Sequence, residues 1–513
     1  MSIVTKIKPN LYKDSVALML VAEQVLKDPG ITRATLIMGT PANLEILAEA
    51  GLADAPARAA GPSDLIIVIE SGDPKAADEA LSAIDAALSG GSKEVAEAER
   101  ILPRTIAMGT AALDGSNLVQ VSVPGAYAGA EALKAVKAGH SVFLFSDNVP
   151  LAQERVIKDL AAARGALVMG PDCGTAIIAG VPLGFANVVR RGRIGFIGAS
   201  GTGLQEVTSQ VHIMGEGVSH AIGTGGRDIK AEIGGLTMLA ALDLLANDPA
   251  TAVIGIVSKP PAPQVMAKVV ERAARAGKPV VACFLGGKLT GLPANITATS
   301  TLYDCAAACV ARVRGTTFAP SPVPASQPQA LPAYAASQRH VRGLFSGGTF
   351  CTEAQVALRD AGIACRSNVP LNPTLTLADI RRSQEHTILD LGDDDFTVGK
   401  PHPMIDPSTR VQRIRSEAED PTTAVLLIDI VLGYAGHMDP AGAVAPALKE
   451  ASAAAHKAGR TLAMVGFVCG TEEDPQVRSR QEKVLADAGV MLAPSSSHAA
   501  RLAAALLPRK AAA

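Results

Sequence analysis

A chain of 513 residues is long for one hydrophobic core and implies roughly three to five domains. Its 47 basic and 49 acidic residues leave a formal charge of −2, which gives no general electrostatic reason to bind nucleic acid or an anionic membrane. Ten Phe, five Tyr and no Trp make base-stacking platforms unexpected, while 48% hydrophobic and 19% charged residues describe a chain that buries large cores.

The N-terminus, Met1 to Lys6, lacks the basic-then-apolar layout of a signal peptide, and no apolar run approaches the roughly 18 residues of a membrane helix. Seven sparse Cys read as thiols of a reducing compartment, so a cytoplasmic protein is expected. Cys305 and Cys309 lie one helical turn apart with no second Cys or His pair nearby, and no metal is expected.

In chain order, residues 1–95 run strand, helix, strand, helix, strand, helix and are expected to form a small N-terminal α/β domain. The apolar run 65–69 within them reads as a strand buried on both faces. Residues 96–190 read as Rossmann-like, with apolar runs at 141–146 and 166–169 and helical spacing at 130–138 and 152–163. Residues 191–318 form a third α/β unit with runs at 194–197 and 252–257. Strands alternating with helices imply βαβ units and mainly parallel sheets. Five prolines stand uncharged between Pro320 and Pro332, so residues 319–335 are expected to be an extended linker.

Residues 336–513 repeat the third unit. Gly201, Thr202 and Glu206 recur as Gly348, Thr349 and Glu353, 147 positions later; the stretch from Asp248 recurs from Asp420, and Ala276-Gly277 recurs as Ala458-Gly459. Order is kept while spacing grows, which points to a duplicated domain with insertions in one copy.

Several loops carry residue types suited to chemistry. The run 194–204 leads a buried strand through Ser200, Gly201 and Thr202 into a helix, where free N–H groups, hydroxyls and the helix dipole attract an anion. The same residue types serve a tight capped turn equally well. Ser346, Gly347, Gly348 and Thr349 repeat the arrangement, and two such starts facing one cleft would hold a phosphate-like group. Walker-type phosphate binding is excluded, because Gly277-Lys278, Gly287-Lys288 and Gly399-Lys400 are followed by Pro279, Leu289 and Pro401. Pro171 and Asp172 read as a turn, and Cys173 as either a buried inert thiol or a reactive one at a helix end. Arg227 is suited to clamp a carboxylate or phosphate, or simply to pair with Asp228. The loop from Asp429 to Pro440 offers His437 as acid–base or electrophile, oriented by Asp439. The acidic run 390–395 reads as a solvated loop before a cation site.

Together these loops resemble the succinyl-CoA synthetase type of acyl-CoA synthetase. Gly170-Pro171-Asp172-Cys173 is similar to the Gly-Pro-Asn-Cys turn closing that family's CoA-binding domain, and the stretch from Gly192 to Thr202 to its helix start facing the phosphoryl group. Residues 223–228 are similar to its Gly-Gly-Asp loop. The whole layout, including 38–43, 145–150 and 170–175, resembles the FdrA family. The resemblance implies a Rossmann-like domain of CoA-binding type at 96–190 and two flavodoxin-like ligase-type domains at 191–318 and 336–513. It also implies that Asp147, Asn148, Asp172, Cys173, Gly174, Thr175, Gly225, Gly226 and Asp228 line a substrate or CoA-like site.

The synthetases' Gly-His-Ala-Gly-Ala phosphohistidine run is absent, and so is a nucleotide-grasping domain. The FdrA resemblance therefore implies a subunit of a multisubunit carbamoyltransferase of ureide nitrogen metabolism, converting oxalurate and phosphate to oxamate and carbamoyl phosphate. The alternatives are a CoA-dependent ligase or acyltransferase subunit, for which CoA is the cofactor, and a non-catalytic scaffold. Partner subunits, a small acidic substrate and an oligomer are expected in each case.

Overall fold

The computed structural model describes residues 2–89 apart from 12, 14, 27 and 29, and residues 103–287, 289–321 and 332–508. The chain divides into two units, Met1–Leu102 and Pro103–Ala513.

The first unit comprises β1 (Ser2–Lys8), α1 (Ser15–Val25), β2 (Ile31–Met38), α2 (Pro41–Glu49), α3 (Ala55–Arg58), β3 (Leu65–Ser71) and α4 (Pro74–Ser89). Strand β3 lies centrally in the order β1-β3-β2. Leu65, Ile67 and Ile69 pack with Leu18 and Val25 of α1 and Ala77 and Ile84 of α4. Ile66 and Val68 pack with Leu47, Leu52 and Ala57 on the α2–α3 side. Helices on both faces explain why β3 is uniformly apolar rather than alternating. Both pairings are antiparallel, contrary to the expected parallel sheets, because an apolar run reports burial on two faces and not strand direction.

The second unit opens with α5 (Ile106–Ala112), β4 (Leu118–Val121), α6 (Gly125–Lys137), β5 (Ser141–Leu144), α7 (Leu151–Arg164) and β6 (Val168–Met169). Its three strands form a parallel sheet in the order β4-β5-β6. Strands β7 (Thr175–Ile178) and β8 (Val181–Gly184) form a hairpin that joins the following sheet through β10, so that sheet begins before residue 191.

The next elements are β9 (Arg191–Gly198), α8 (Gly201–Ile213), β10 (Val218–Gly223), α9 (Leu236–Asn247), β11 (Val253–Ser258), α10 (Pro263–Ala274), β12 (Val280–Phe284), β13 (Ile296–Thr299) and α11 (Leu302–Arg314). After the linker stretch, of which residues 322–331 lie outside the described residues, come β14 (His340–Phe345), α12 (Gly348–Asp360), β15 (Thr387–Asp390), α13 (Asp394–Thr397), α14 (Ser408–Glu419), β16 (Thr423–Val431), α15 (Pro440–Lys457), β17 (Ala463–Cys469), α16 (Arg478–Asp487), β18 (Met491–Leu492) and α17 (Ser496–Leu506).

The two sheets read β13-β12-β11-β9-β10-β7-β8 and β18-β17-β16-β14-β15. Apart from the hairpin, each is a parallel sheet of strand order 2-1-3-4-5, the flavodoxin-like winding. The sequence repeat is thus a repeat of topology.

Helices α8 and α11 of one module and α12 and α17 of the other share one core, in which Leu204, Val207, Cys305 and Cys309 meet Phe350, Ala354, Ala499 and Ala503. Two acids sit inside it. Glu353 of α12 accepts the N–H of Leu302, the first residue of α11, at 2.8 Å, and Glu206 of α8 accepts that of Ser496, the first residue of α17, at 3.4 Å. Each repeat therefore caps the closing helix of the other. Desolvation pushes both carboxyls up to about 7. From their ordinary value of 4.5 up to about 7 the folded chain holds protons that the unfolded chain releases, so stability falls as pH rises through that window. Glu206→Gln and Glu353→Gln are expected to flatten this slope in urea unfolding followed from pH 4.5 to 7.5; an unchanged slope in the double variant overturns the assignment.

All seven Cys are buried and free, and no helix among the described residues is long and apolar enough to cross a membrane.

Candidate functional site

In a 2-1-3-4-5 sheet the switch point lies where the first and third strands diverge at their carboxyl ends. Helices α8 and α12 begin at these points, after β9 and β14. Ser200 is extended, and its Oγ caps α8 by accepting the Gly203 N–H at 3.0 Å. The two helix starts meet: Ser200 Oγ and Thr349 Oγ1 are hydrogen-bonded, and a Cβ on Gly347 would lie 2.9 Å from Thr202 Oγ1. The N–H groups of Gly201, Thr202, Gly348, Thr349 and Phe350 have no acceptor among the described residues. Two positive helix ends therefore face one spot, a convergence that one dimension does not reveal.

Ser346 plays a different part from its repeat partner. Its N–H and hydroxyl, with the Gly347 N–H, all donate to the Asp429 carboxylate at 3.0–3.1 Å. Asp429 is buried within β16, not in the loop its sequence position suggested, and pairs with the buried Arg410 of α14 at 2.9 Å. The Ser346 hydroxyl is thus committed to the fold, and the α12 side offers N–H groups and Thr349 alone.

Two further residues border this spot: Asp390, which the sequence reading placed in a solvated acidic loop and which is instead buried at the end of β15, and His402, which it left unassigned. Asp390, ending β15, lies with Oδ2 against the Cα of Gly348 while Oδ1 accepts the Gly392 N–H at 3.0 Å. Desolvation and the neighbouring Asp393 push its carboxyl up to about 7. His402 follows at Gly392, where a Cβ would lie 2.5 Å from its Nε2 and 2.8 Å from the Ser346 carbonyl oxygen. The sequence signal that separates Asp390 from the acidic loop after it is its place at the close of an apolar run; His402 has no such signal.

On the other flank, Gly174 and Thr175 lie beneath Gly201, with Thr175 Oγ1 3.2 Å from a Cβ placed there and itself donating to the Phe185 carbonyl at 2.9 Å. Cys173 is buried, and desolvation pushes its thiol up to about 12, which disfavours the nucleophilic thiolate. Gly225, at φ 80°, has no room for a Cβ against the Pro171 carbonyl, and this contact holds Gly225 and Gly226 against the 170–172 turn. Asp172 remains exposed, yet its carboxyl is raised, by desolvation first and then by the charges of Asp147 and Asp394. Asp147 and Asp394 thus lie near enough to Asp172 to put negative charge along this edge, while Asn148 beside them is neutral and has φ 52°.

Arg227 does not pair with Asp228. Its Nε binds the buried Glu154 at 3.0 Å, while Asp228 is buried, binds Lys158 at 2.8 Å and accepts the N–H groups of Thr237 and Met238 at the start of α9. Asp228 is structural, and Arg227 is a tethered cation rather than a free clamp.

His437 is tied by its backbone N–H to the Met404 carbonyl at 2.7 Å, and among the described residues no hydrogen bond joins its ring to either helix start. Its Nδ1 accepts the backbone N–H of Asp439 at 3.0 Å, which leaves the proton on Nε2 in the neutral ring. The Asp439 carboxylate caps α15 and accepts from Gln481, so the expected carboxylate–imidazole pair does not form.

Comparison with known proteins agrees with this architecture. A CoA-ligase family model matches residues 344–506, a CoA binding domain model matches 189–287, and a model described as AllF, heavy metal-associated domain, matches 1–103. The CoA-binding match falls on the β9–β12 module, beyond the 96–190 segment to which sequence reading gave that role. Residues 1–103 contain neither Cys nor His, so no thiolate or imidazole donor is available there for a heavy metal. The succinate–CoA ligase [ADP-forming] subunit alpha of Aquifex aeolicus (strain VF5) is 28% identical over 151 residues, 28% of this chain and 48% of that one. A dinucleotide-forming acetyl-coenzyme A synthetase 1 of Ca. Korarchaeum cryptofilum, solved with phosphate and ADP, is 17% identical over 76% of this chain and 82% of its own, with a TM-score of 0.31. The uncharacterized protein YahF of Escherichia coli (strain K12) is 42% identical over 524 residues, covering 98% of both chains. That full-length relationship, over an AllF-type N-terminal domain followed by CoA-binding and CoA-ligase modules, makes this chain a member of the FdrA family.

Proposed function

We propose that the chain is the anion-binding subunit of a carbamoyltransferase that runs between phosphate and an oxalurate-like carbamoyl donor. The reading is carried by the meeting of the α8 and α12 starts, with five N–H groups around the Ser200–Thr349 contact that have no partner among the described residues. A phosphate dianion held there attacks the carbamoyl carbon. The new C–O bond forms as the C–N bond breaks, and the departing oxamate nitrogen takes a proton from Asp390, which regains it from phosphate. A carboxyl raised to about 7 suits that exchange near neutrality. No covalent histidine is needed, consistent with the missing phosphohistidine run. Partner chains would supply the remaining substrate contacts.

The CoA-binding match at 189–287 supports a second reading, a CoA-dependent acyl-transfer subunit. Calorimetric titration of the full chain with inorganic phosphate and with CoA separates the two. Phosphate binding without CoA binding is expected, together with oxalurate phosphorolysis by the chain and its co-purifying partners. CoA binding without phosphate binding would favour the second reading.

A further inference from the structure

We propose that His402 is a substrate-binding residue: a neutral imidazole whose Nε2–H donates to the α-oxo oxygen of the carbamoyl donor, beside the phosphate. This rests on the reading that phosphate occupies the paired helix starts, and it assigns the substrate's other end to a residue outside them.

The ring's tautomer is fixed by its neighbours. The backbone N–H of Met404 donates to Nδ1 at 3.2 Å, so the proton of the neutral ring is on Nε2. The ring lies 5.7 Å from Phe185, which belongs to the loop after β8 and hence to the first ligase-type module. Met404, which fixes the tautomer, is itself held by the His437 N–H. The ring is therefore steadied from both modules, while Nε2 has no hydrogen-bond partner among the described residues. It faces Gly392, whose N–H is bound by Asp390, the carboxyl lying against Gly348. A ligand reaching from the α12 start past Gly392 meets Nε2–H as its next donor.

A neutral donor of this kind suits an oxygen acceptor and not a cation or an apolar group. Desolvation lowers the ring's pKa to about 4, which keeps it neutral at working pH. Arg227 is tethered to Glu154, and Asp147 and Asp172 carry carboxyls, so the residues that precede the second module offer the substrate's carboxyl-bearing end little attraction. The α-oxo oxygen instead finds its donor on the α12 side.

The test is calorimetric titration of the full chain, with phosphate present, using oxalurate and its analogue N-carbamoylglycine, which has CH₂ in place of the α-oxo carbon. A site built around a hydrogen bond discriminates strongly against a ligand lacking the acceptor. His402→Phe keeps a ring against Phe185 and removes the donor; His402→Gln restores an N–H near Nε2. The expected result is at least tenfold weaker oxalurate binding in His402→Phe, unchanged N-carbamoylglycine binding, and substantial recovery in His402→Gln. Equal loss for both ligands would mean a packing role and overturn the proposal, as would oxalurate binding that ignores all three side chains. Phosphate affinity of the unaltered chain, measured alone, reports separately on the helix-start reading: if phosphate binds and oxalurate does not, only the His402 assignment fails.

Discussion

Gly201→Asp is expected to fold normally and to lose phosphate binding by about two orders of magnitude. An acid in the first turn of a helix favours the dipole, so α8 should not suffer. The one close contact of a Cβ there is Thr175 Oγ1 at 3.2 Å, which a shift of a few tenths of an ångström relieves, and Gly174 Cα and Thr175 Cβ lie at ordinary van der Waals distance. A carboxylate placed about 5 Å from a bound anion, at an effective dielectric of about 20, opposes each unit of its charge by roughly 3 kcal/mol. At 1.4 kcal/mol per decade this exceeds a hundredfold. Gly201→Ala is the control and should bind phosphate nearly as the unaltered chain does. Gly348→Asp is the poorer probe, because Asp390 already occupies the space a Cβ needs. If Gly201→Asp folds and binds phosphate normally, the helix starts are plain turns and the site lies elsewhere.

Asp429→Asn is expected to be the most destabilising conservative change, at about 3–5 kcal/mol, because it strips a buried cation of its partner. Asp429 accepts three donors from Ser346 and Gly347 and balances Arg410, and both partners are buried. Adding Arg410→Met should recover much of the loss, since removing both charges avoids the unpaired ion. Urea midpoints of the single and double variants decide this; a single variant within 1 kcal/mol of the original chain would falsify the account. Phosphate binding should weaken along with stability, because Asp429 aims the turn that opens α12.

How far the sequence reached depends on the range of each interaction. The two-sided burial of 65–69 was legible because it is written in five consecutive side chains, whereas strand direction depends on partners far away. The Gly–Thr helix starts were legible as paired local signals, and the common strand order underlies them. Their meeting was not, because Ser200 and Thr349 are separated by 149 positions. Nor could the sequence show that the Ser346 hydroxyl is taken by an acid 83 residues later, or that Arg227 is held by Glu154 and not by its neighbour Asp228. His402 sits in a proline-flanked loop with no periodicity, and only the ring of Phe185 and the N–H of Met404 give it an orientation.

The crossed caps of Glu206 and Glu353 also bear on how such a chain can be divided. Each acid anchors a helix that belongs to the other copy, so a protein cut between the copies should remain one particle. The same two halves encoded by separate genes could assemble unaided. Joining them in one polypeptide makes their association intramolecular and guarantees one copy of each per molecule, and hence one α8 start for every α12 start.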